Sequence, residues 1–107
     1  MEILTTPIVE GRRIVEYKGL VMAKNVRAVN IIRDFFTGFR DLFGGRSVSY
    51  QRVIDDMQRE VLAEIVHEAE RVGGNAIIGF QLDFENVASK NKSLIMAVAK
   101  GTAVVLE

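Results

Sequence analysis

The sequence contains no cysteine and no tryptophan, and it has one proline and one histidine among its 107 residues. Without cysteine the chain can form no disulfide, no thiolate nucleophile and no thiolate-bound metal site. Any serine, histidine and aspartate arrangement would have to use His67, and no Gly-x-Ser-x-Gly motif accompanies it. These absences predict a protein that is not an enzyme. They leave its cofactor unknown and limit a bound metal to a divalent ion held without thiolates.

A surplus of charge of one sign is also lacking, because 14 lysines and arginines balance 14 aspartates and glutamates. Without a surplus of basic residues the chain has no overall positive electrostatic potential that would attract a polyanion, so nucleic acid is not an expected partner. No apolar run reaches the roughly 20 residues that span a bilayer, and the N-terminus has no basic start followed by an apolar stretch. We therefore expect a cytoplasmic protein without a membrane partner.

Apolar residues make up 49% of the chain and charged residues 26%, which is typical of a folded globular domain. The length predicts one domain over residues 1–107. Alternating and β-branched residues predict strands over 2–6, 12–26, 75–85 and 93–107. The apolar face of the third strand comprises Ala76, Ile78, Phe80, Leu82 and Phe84. Glycines inside strands often mark bulges, and we expect them at Gly19 and Gly101.

Two helices are predicted between the second and third strands. The first covers residues 30–43, where four of the six phenylalanines and three other apolar residues share one face at 100° per residue. The second begins after Ser47 or Ser49, either of which can cap a helix, and ends at the glycine pair 73–74. The order predicts an α+β fold with an antiparallel sheet and two helices packed on one face.

The aromatic helix has several interpretations. An amphipathic helix docked on the sheet or buried between subunits accounts for all of its residues. A membrane-surface helix would need lysine and arginine to dominate its polar face, but here each arginine is followed by an aspartate. A ligand pocket lined by the phenylalanines remains open.

The turn after this helix is a candidate anion site. It consists of Gly44, Gly45, Arg46 and Ser47. Free backbone N–H groups and the positive end of the helix dipole favour anions at such a position. The spacing is not that of a Walker motif, and two glycines can simply join two helices. An enzyme that holds an anionic substrate with Arg46 is therefore one hypothesis among others.

Two groups of side chains are candidate metal ligands. Glu60, Glu64 and His67 share one face of the second helix, and Glu64-x-x-His67 has the spacing of half a di-metal carboxylate site. Asp83 and Glu85 lie two residues apart on the polar face of a strand, where they can chelate a hard cation. One chain supplies only one Glu-x-x-His pair, so a complete site would need several copies. Both groups can equally be solvated surface.

Several stretches together resemble the YbjQ-like family, small bacterial and archaeal proteins often labelled heavy-metal-binding. The matching stretches are LTTP (4–7), EGRRIVEYKG (10–19), NIIRDFFTGFRDLFGGRSVSY (30–50), GGNAIIGFQLDFE (73–85) and GTAVVLE (101–107). The resemblance implies a dodecin-like subunit that assembles into a ring of five. It implies no reaction and no catalytic residues. The polar residues of these stretches that are further candidates for ligand binding are Thr5, Thr6, Asn30, Arg33, Asp34 and Tyr50, together with Arg46.

The expected function is that of a non-enzymatic homo-oligomer, a homopentamer, that acts as a scaffold or binds a small ligand at subunit junctions. The alternative is a metal-binding oligomer that uses carboxylates and the single histidine. In both cases the main partner is another copy of the chain.

Overall fold

A computed structural model describes residues 1–30, 48–88 and 92–107. Its elements are β1 (Glu2–Ile3), β2 (Ile14–Asn30), α1 (Val48–Arg71), β3 (Ala76–Ala88) and β4 (Lys92–Leu106). The strands form one sheet in the order β1-β3-β4-β2. β4 is antiparallel to both of its neighbours, whereas β1 is parallel to β3.

The prediction of an antiparallel sheet with two helices is wrong. The sheet is mixed, and the described residues contain one helix. β1 and β2 lie at opposite edges of the sheet, and β1 runs parallel to its neighbour β3. β2 also continues to Asn30, because residues 26–30 pair with β4. The predicted aromatic helix covers residues 30–43, of which Asn30 belongs to β2, and the rest of it and the glycine turn at 44–47 lie outside the described residues.

The helix that is described matches the prediction from the sequence. It ends where Gly73 adopts a φ of +89°, and the N–H of Gly74 donates to the carbonyl of Ala69 at 2.9 Å. Glycine takes this left-handed conformation without a steric penalty, which is why the helix stops there. The chain then turns directly into β3.

The bulges are only partly where the glycines predict them. The register of β2 with β4 shifts between Tyr17 and Gly19, which confirms the first bulge. The bulge predicted at Gly101 is present in the pairing of β4 with β3, but its extra residue belongs to β3 and not to β4. Ile78 pairs with Thr102 and Gln81 pairs with Lys100, so two residues of β3 oppose Gly101, and one of them, Gly79, has a φ of +61°.

This bulge changes which face of β3 each side chain occupies. Ile77, Phe80 and Leu82 pack in the cluster beneath the helix, whereas Ala76 and Ile78 pack in a second cluster. Strict alternation predicts that Ala76, Ile78, Phe80 and Leu82 share a face, and this is wrong because the extra residue reverses the pattern.

The main core lies between α1 and one face of the sheet. The helix contributes Met57, Val61, Ile65 and Ala69, which repeat every four residues and are fully buried. The sheet residues beneath them are small or β-branched. They are Val21, Ala23, Ile77, Ile95, Ala97, Ala99 and Ala103. The alanines let the helix approach closely, and it packs mainly on β2 and β4.

The second cluster lies at one end of the opposite face. Ala76, Ile78, Val104 and Leu106 are buried there under Val9 and Ile14. The side-chain amide of Asn75 is hydrogen-bonded to the backbone of Leu106 at this end of the sheet. Its Oδ1 accepts from the Leu106 N–H at 2.7 Å, and its Nδ2 donates to the Leu106 carbonyl at 3.1 Å.

The chain is elongated. It measures 52 × 26 × 17 Å and has a Cα radius of gyration of 17.4 Å. A compact domain of about 100 residues has a radius of roughly 13 Å. The long strands therefore expose more surface than an isolated domain of this length normally does.

Candidate functional site

The most distinctive surface is the sheet face turned away from α1, beyond the second cluster. We call it the open face. Val21 and Ala23 of β2 point to the helix, so their neighbours Leu20 and Met22 point to the open face. The open face comprises Leu20, Met22, Lys24 and Val26 of β2, Leu94, Met96, Val98 and Lys100 of β4, and Gln81, Asp83 and Glu85 of β3.

Apolar side chains dominate the β2 side of the open face. Leu20 is 70% exposed and Val26 is 56% exposed, and Met22 and Leu94 are also exposed. No described element covers them, since α1 occupies the other face. A group of large apolar side chains on one flat surface is typical of an interaction site.

The β3 side of the open face is acidic. Asp83 and Glu85 are exposed, and Asp83 stands in one row with Val98 and Lys24 across the sheet. The row thus has a carboxylate at one edge and an ammonium group at the other. The open face is therefore polarised, with carboxylates on β3 and apolar residues plus a lysine on β2.

A second surface feature is a hollow in the N-terminal segment. Its volume is about 560 Å³, and it is lined by Leu4, Thr6, Pro7, Ile8, Val9 and Glu10. Backbone hydrogen bonds hold this segment to the bulge of β3: the Gly79 N–H donates to the Thr6 carbonyl at 2.9 Å, and the Phe80 N–H donates to the Leu4 carbonyl at 3.0 Å. The bulge thus presents two donors that fix the segment.

The two threonines predicted as ligand-binding residues lie in this segment. Both Thr5 and Thr6 are exposed. The Thr6 hydroxyl donates to the carbonyl of Ile8 at 2.7 Å, so it stabilises the turn. The volume falls within the range of small-molecule sites, and the lining is mainly apolar.

The metal-ligand candidates lie on opposite sides of the sheet. Glu60 accepts hydrogen bonds from Asn25 Nδ2, at 2.6 Å, and from the Arg27 guanidinium, so its carboxylate is engaged with β2. Glu64 and His67 are exposed on α1. Within residues 1–30, 48–88 and 92–107, no group of three or more His, Asp or Glu side chains is placed to hold a metal ion. A metal site formed by several chains stays a prediction.

The remaining candidates fall at the limits of the described structure. Asn30 is the last residue of β2, and Tyr50 lies in the first turn of α1. The other predicted binding residues lie outside the described residues. They are Arg33, Asp34, Gly44, Gly45, Arg46 and Ser47.

The predictions from the sequence do not include the open face, although the sequence contains a signal for it. Residues 20–23 read LVMA, an apolar run without alternation. Such a run is typical of a strand that is covered on both faces. Among residues 1–30, 48–88 and 92–107, the elements that cover this run lie on the helix side, and Leu20 and Met22 are exposed.

In the residues that the structure describes, the fold is a small α+β domain with one helix on one face of a mixed four-stranded sheet. The chain belongs to the YbjQ_1 family, described as "Putative heavy-metal-binding", whose model matches residues 1–107. This confirms the resemblance noted in the sequence.

Named relatives of similar length support this membership. A UPF0145 protein of Pasteurella multocida is 43% identical over 106 residues, which is 99% of each chain. A UPF0145 protein of Haemophilus ducreyi is 44% identical over the same share. The fold is also similar to that of a crystal structure from Pediococcus pentosaceus, a protein of unknown function in the DUF74 family. That likeness has a TM-score of 0.68 at 19% identity and covers 100% of this chain and 98% of the other.

The described part of the chain has no helix that is both long enough and apolar enough to cross a membrane.

Proposed function

We propose that this protein is a non-enzymatic, cytoplasmic homo-oligomer that binds a small ligand where its subunits meet. The observation that carries the proposal is the open face, where large apolar side chains of β2 and β4 are left uncovered by the described residues of the chain. The resemblance to the family suggests five subunits. The cysteine-free sequence forms no disulfide and is therefore compatible with the cytoplasm.

Covering the exposed apolar surface would favour association. Complete burial of a leucine, methionine or valine side chain contributes about 1.5–3 kcal/mol. Leu20, Met22 and Val26 are 70%, 42% and 56% exposed, so covering them would contribute on the order of 3–5 kcal/mol per subunit. Each subunit of a closed oligomer contributes this amount, together with Leu94 and Met96.

The experiment is native mass spectrometry of untagged protein, with light scattering on the same samples. We expect one oligomeric species at micromolar concentration. Leu20→Lys and Val26→Lys should each shift the distribution to smaller species, because an ammonium group cannot be buried in an apolar contact. Gln58→Lys places the same charge on α1, on the other side of the sheet, and should leave the assembly intact. A wild-type protein that is monomeric at this concentration would refute the proposal.

The ligand part of the proposal is tested in the same spectra. The hollow lined by Leu4, Thr6 and Ile8 is open on one side, so a neighbouring subunit would be needed to close it. A fixed extra mass on the oligomer, absent from the dissociated Leu20→Lys subunit, is the expected result. Extra mass that stays on the monomer would contradict binding at a junction.

Metal binding is the second candidate, and one observation favours it. Glu64 and His67 are exposed one helical turn apart on α1, and within the described structure neither side chain is engaged in an ion pair or hydrogen bond. A carboxylate and an imidazole at this spacing form half of a site that a second copy can complete. The family description points to the same activity.

Titration calorimetry with Zn²⁺, Ni²⁺ and Mn²⁺ on untagged protein tests this candidate. We expect saturable binding with one ion per two or more chains, and loss of binding in Glu64→Gln and in His67→Asn. Glu70→Gln removes a similar exposed carboxylate from the same helix and serves as the matched control. Absence of saturable binding for all three ions would remove metal binding as a function.

A further inference from the structure

Both edges of the sheet carry backbone that is not paired with any other strand of the described structure. β2 forms one edge over 17 residues, and among the described residues no other strand pairs with its outer side. At the opposite edge, β1 and the segment after it reach only as far as Phe80. The outer side of β3 from Gln81 to Glu85 has no strand partner in the described part of the chain.

Unpaired strand edges promote association with other strands, and proteins usually shorten, cover or interrupt them. Neither edge is interrupted here by proline, since the one proline of the chain is Pro7, and after the bulge at Gly19 the register of β2 is continuous to Asn30. β2 is also far longer than the typical strand of five or six residues. An edge of this length and apolar character is suited to pairing with another strand.

We infer that the outer edge of β2 in one copy pairs with residues 81–85 of β3 in a second copy, so that the sheet continues from subunit to subunit. This inference rests on the proposed homo-oligomer and adds to it a contact between strand edges, distinct from the burial of the open face. Within one chain β2 and β3 are parallel to each other, because both are antiparallel to β4. A rotation that repeats the subunit side by side keeps that direction, so the new pair is parallel.

The charges favour pairing of β2 with β3 over the two symmetric alternatives, β3 with β3 and β2 with β2. On the open face β3 presents Asp83 and Glu85, and β2 presents Lys24. Pairing of β2 with β3 sets the ammonium group beside the carboxylates, and opposite charges on neighbouring strands are favourable. Pairing of β3 with β3 would bring four carboxylates together. Pairing of β2 with β2 would leave Lys24 without a carboxylate from the neighbouring strand.

On the helix side of the sheet, the partly exposed ring of Phe84 is compatible with pairing of β2 with β3. Phe84 lies in register with Ala97, on the face that carries α1, and is 37% exposed in the single chain. A strand added next to β3 covers part of this ring. The two edges are different surfaces, so the contact is head-to-tail, and such contacts either close into a cycle or grow into a filament.

The absence of native cysteine allows a direct test by engineered disulfides. Residues 24 and 83 of one chain are separated by β4, hence by two strand spacings or about 9.5 Å. Disulfides need Cα atoms within about 7 Å of each other. A disulfide in the Lys24→Cys, Asp83→Cys double variant must therefore join two copies, and Lys24→Cys with Glu85→Cys allows for a register shifted by two residues.

We expect mild oxidation of one or both double variants to give a ladder of covalent species that ends at the subunit number of the native oligomer. The single variants should give no ladder, and Lys24→Cys with Glu70→Cys on the outer side of α1 is the matched control. A covalent dimer from Lys24→Cys alone would overturn the inference in favour of β2 pairing with β2.

A charge exchange gives a second readout that does not depend on disulfide geometry. Lys24→Glu should raise the concentration needed for assembly about tenfold, because it sets like charges side by side. Adding Asp83→Lys and Glu85→Lys should restore assembly. If the oligomer persists but shows neither the ladder nor this rescue, the pairing is wrong while the proposed function stands. A monomeric wild-type protein would instead refute the proposed function itself.

Discussion

Gly101 of β4 offers a sharp test of how closely the sheet is packed. A Cβ added at this position would lie 2.5 Å from Cγ2 of Ile77 and 3.2 Å from the carbonyl oxygen of Ile78. Carbon atoms in contact are normally about 3.5–4.0 Å apart. Ile77 is fully buried and β-branched, so its Cγ2 cannot rotate away without disturbing the core beneath α1.

Gly101→Ala should therefore destabilise the fold by overpacking, which typically costs about 1–3 kcal/mol. For a chain of this length, such a loss lowers the thermal midpoint by roughly 4–8 °C per kcal/mol. The assay is urea unfolding followed by circular dichroism, with wild type and variant at the same protein concentration because the proposed assembly adds to stability.

A double-mutant cycle separates the clash from other effects of the alanine. Ile77→Ala removes Cγ2 and alone should cost about 2–5 kcal/mol because it leaves a cavity. If the clash with Cγ2 is the cause, Gly101→Ala should add little to the loss in the Ile77→Ala background, since the added methyl occupies part of that cavity. Additive losses would refute this reasoning, because additivity indicates that the two positions do not interact.

Three further predictions concern other positions. At Gly79 an added Cβ would have nothing within 4 Å, but alanine would be strained by the φ of +61°, so Gly79→Ala should lower the free energy of unfolding in urea by about 1–2 kcal/mol. Gly79→Asn should lower it less, because asparagine adopts this conformation more readily. Equal stability of the wild type and both variants would contradict this. Asn75→Ala removes both side-chain hydrogen bonds to Leu106 and should cost about 1–3 kcal/mol, and an unchanged urea midpoint would show that they are dispensable. For the anion site suggested by the sequence, Arg46→Ala should abolish phosphate binding in calorimetry without dispersing the oligomer, and an unaltered affinity would argue against that site.

Local patterns in the sequence predicted most elements of the described fold. The long helix was recognised because its apolar residues recur every three or four positions and glycine ends it at Gly73. The long strands were recognised by their β-branched residues. Strand direction was not predictable in this way, since β1 has only two residues and its parallel partner Ala76–Ile77 lies more than 70 positions away. Such pairing depends on hydrogen bonds between distant segments, which leave no local pattern.

Glycine within a strand can be required either by a left-handed φ or by a close contact, and Gly79 and Gly101 illustrate the two cases. Gly79 lies inside a strand as Gly101 does, yet only Gly79 has the left-handed φ of a bulge. Gly101 is required for another reason, the close approach of Ile77. Glycine within a strand indicates either a bulge or a close contact, and only the packed structure distinguishes them.

The candidate site was harder to predict than the fold. The sequence placed Glu60 among the metal ligands because it shares a helix face with Glu64 and His67, but it could not show that Arg27 and Asn25 reach Glu60 from β2. These contacts join residues more than 30 positions apart. The polarity of the open face likewise depends on the register that aligns Lys24, Val98 and Asp83 in one row.

Asp83 and Glu85 cannot both hold a metal ion and pair with Lys24 of another copy. A divalent cation held by both carboxylates would neutralise the charge that attracts Lys24 and would compete with it for the same oxygens. If β3 pairs with β2 of another copy, the carboxylates are engaged and metal binding falls to Glu64 and His67 on the other side of the sheet. Because α1 and the open face are separated by the sheet, a metal at Glu64 and His67 is compatible with the continued sheet, whereas a metal at Asp83 and Glu85 is not.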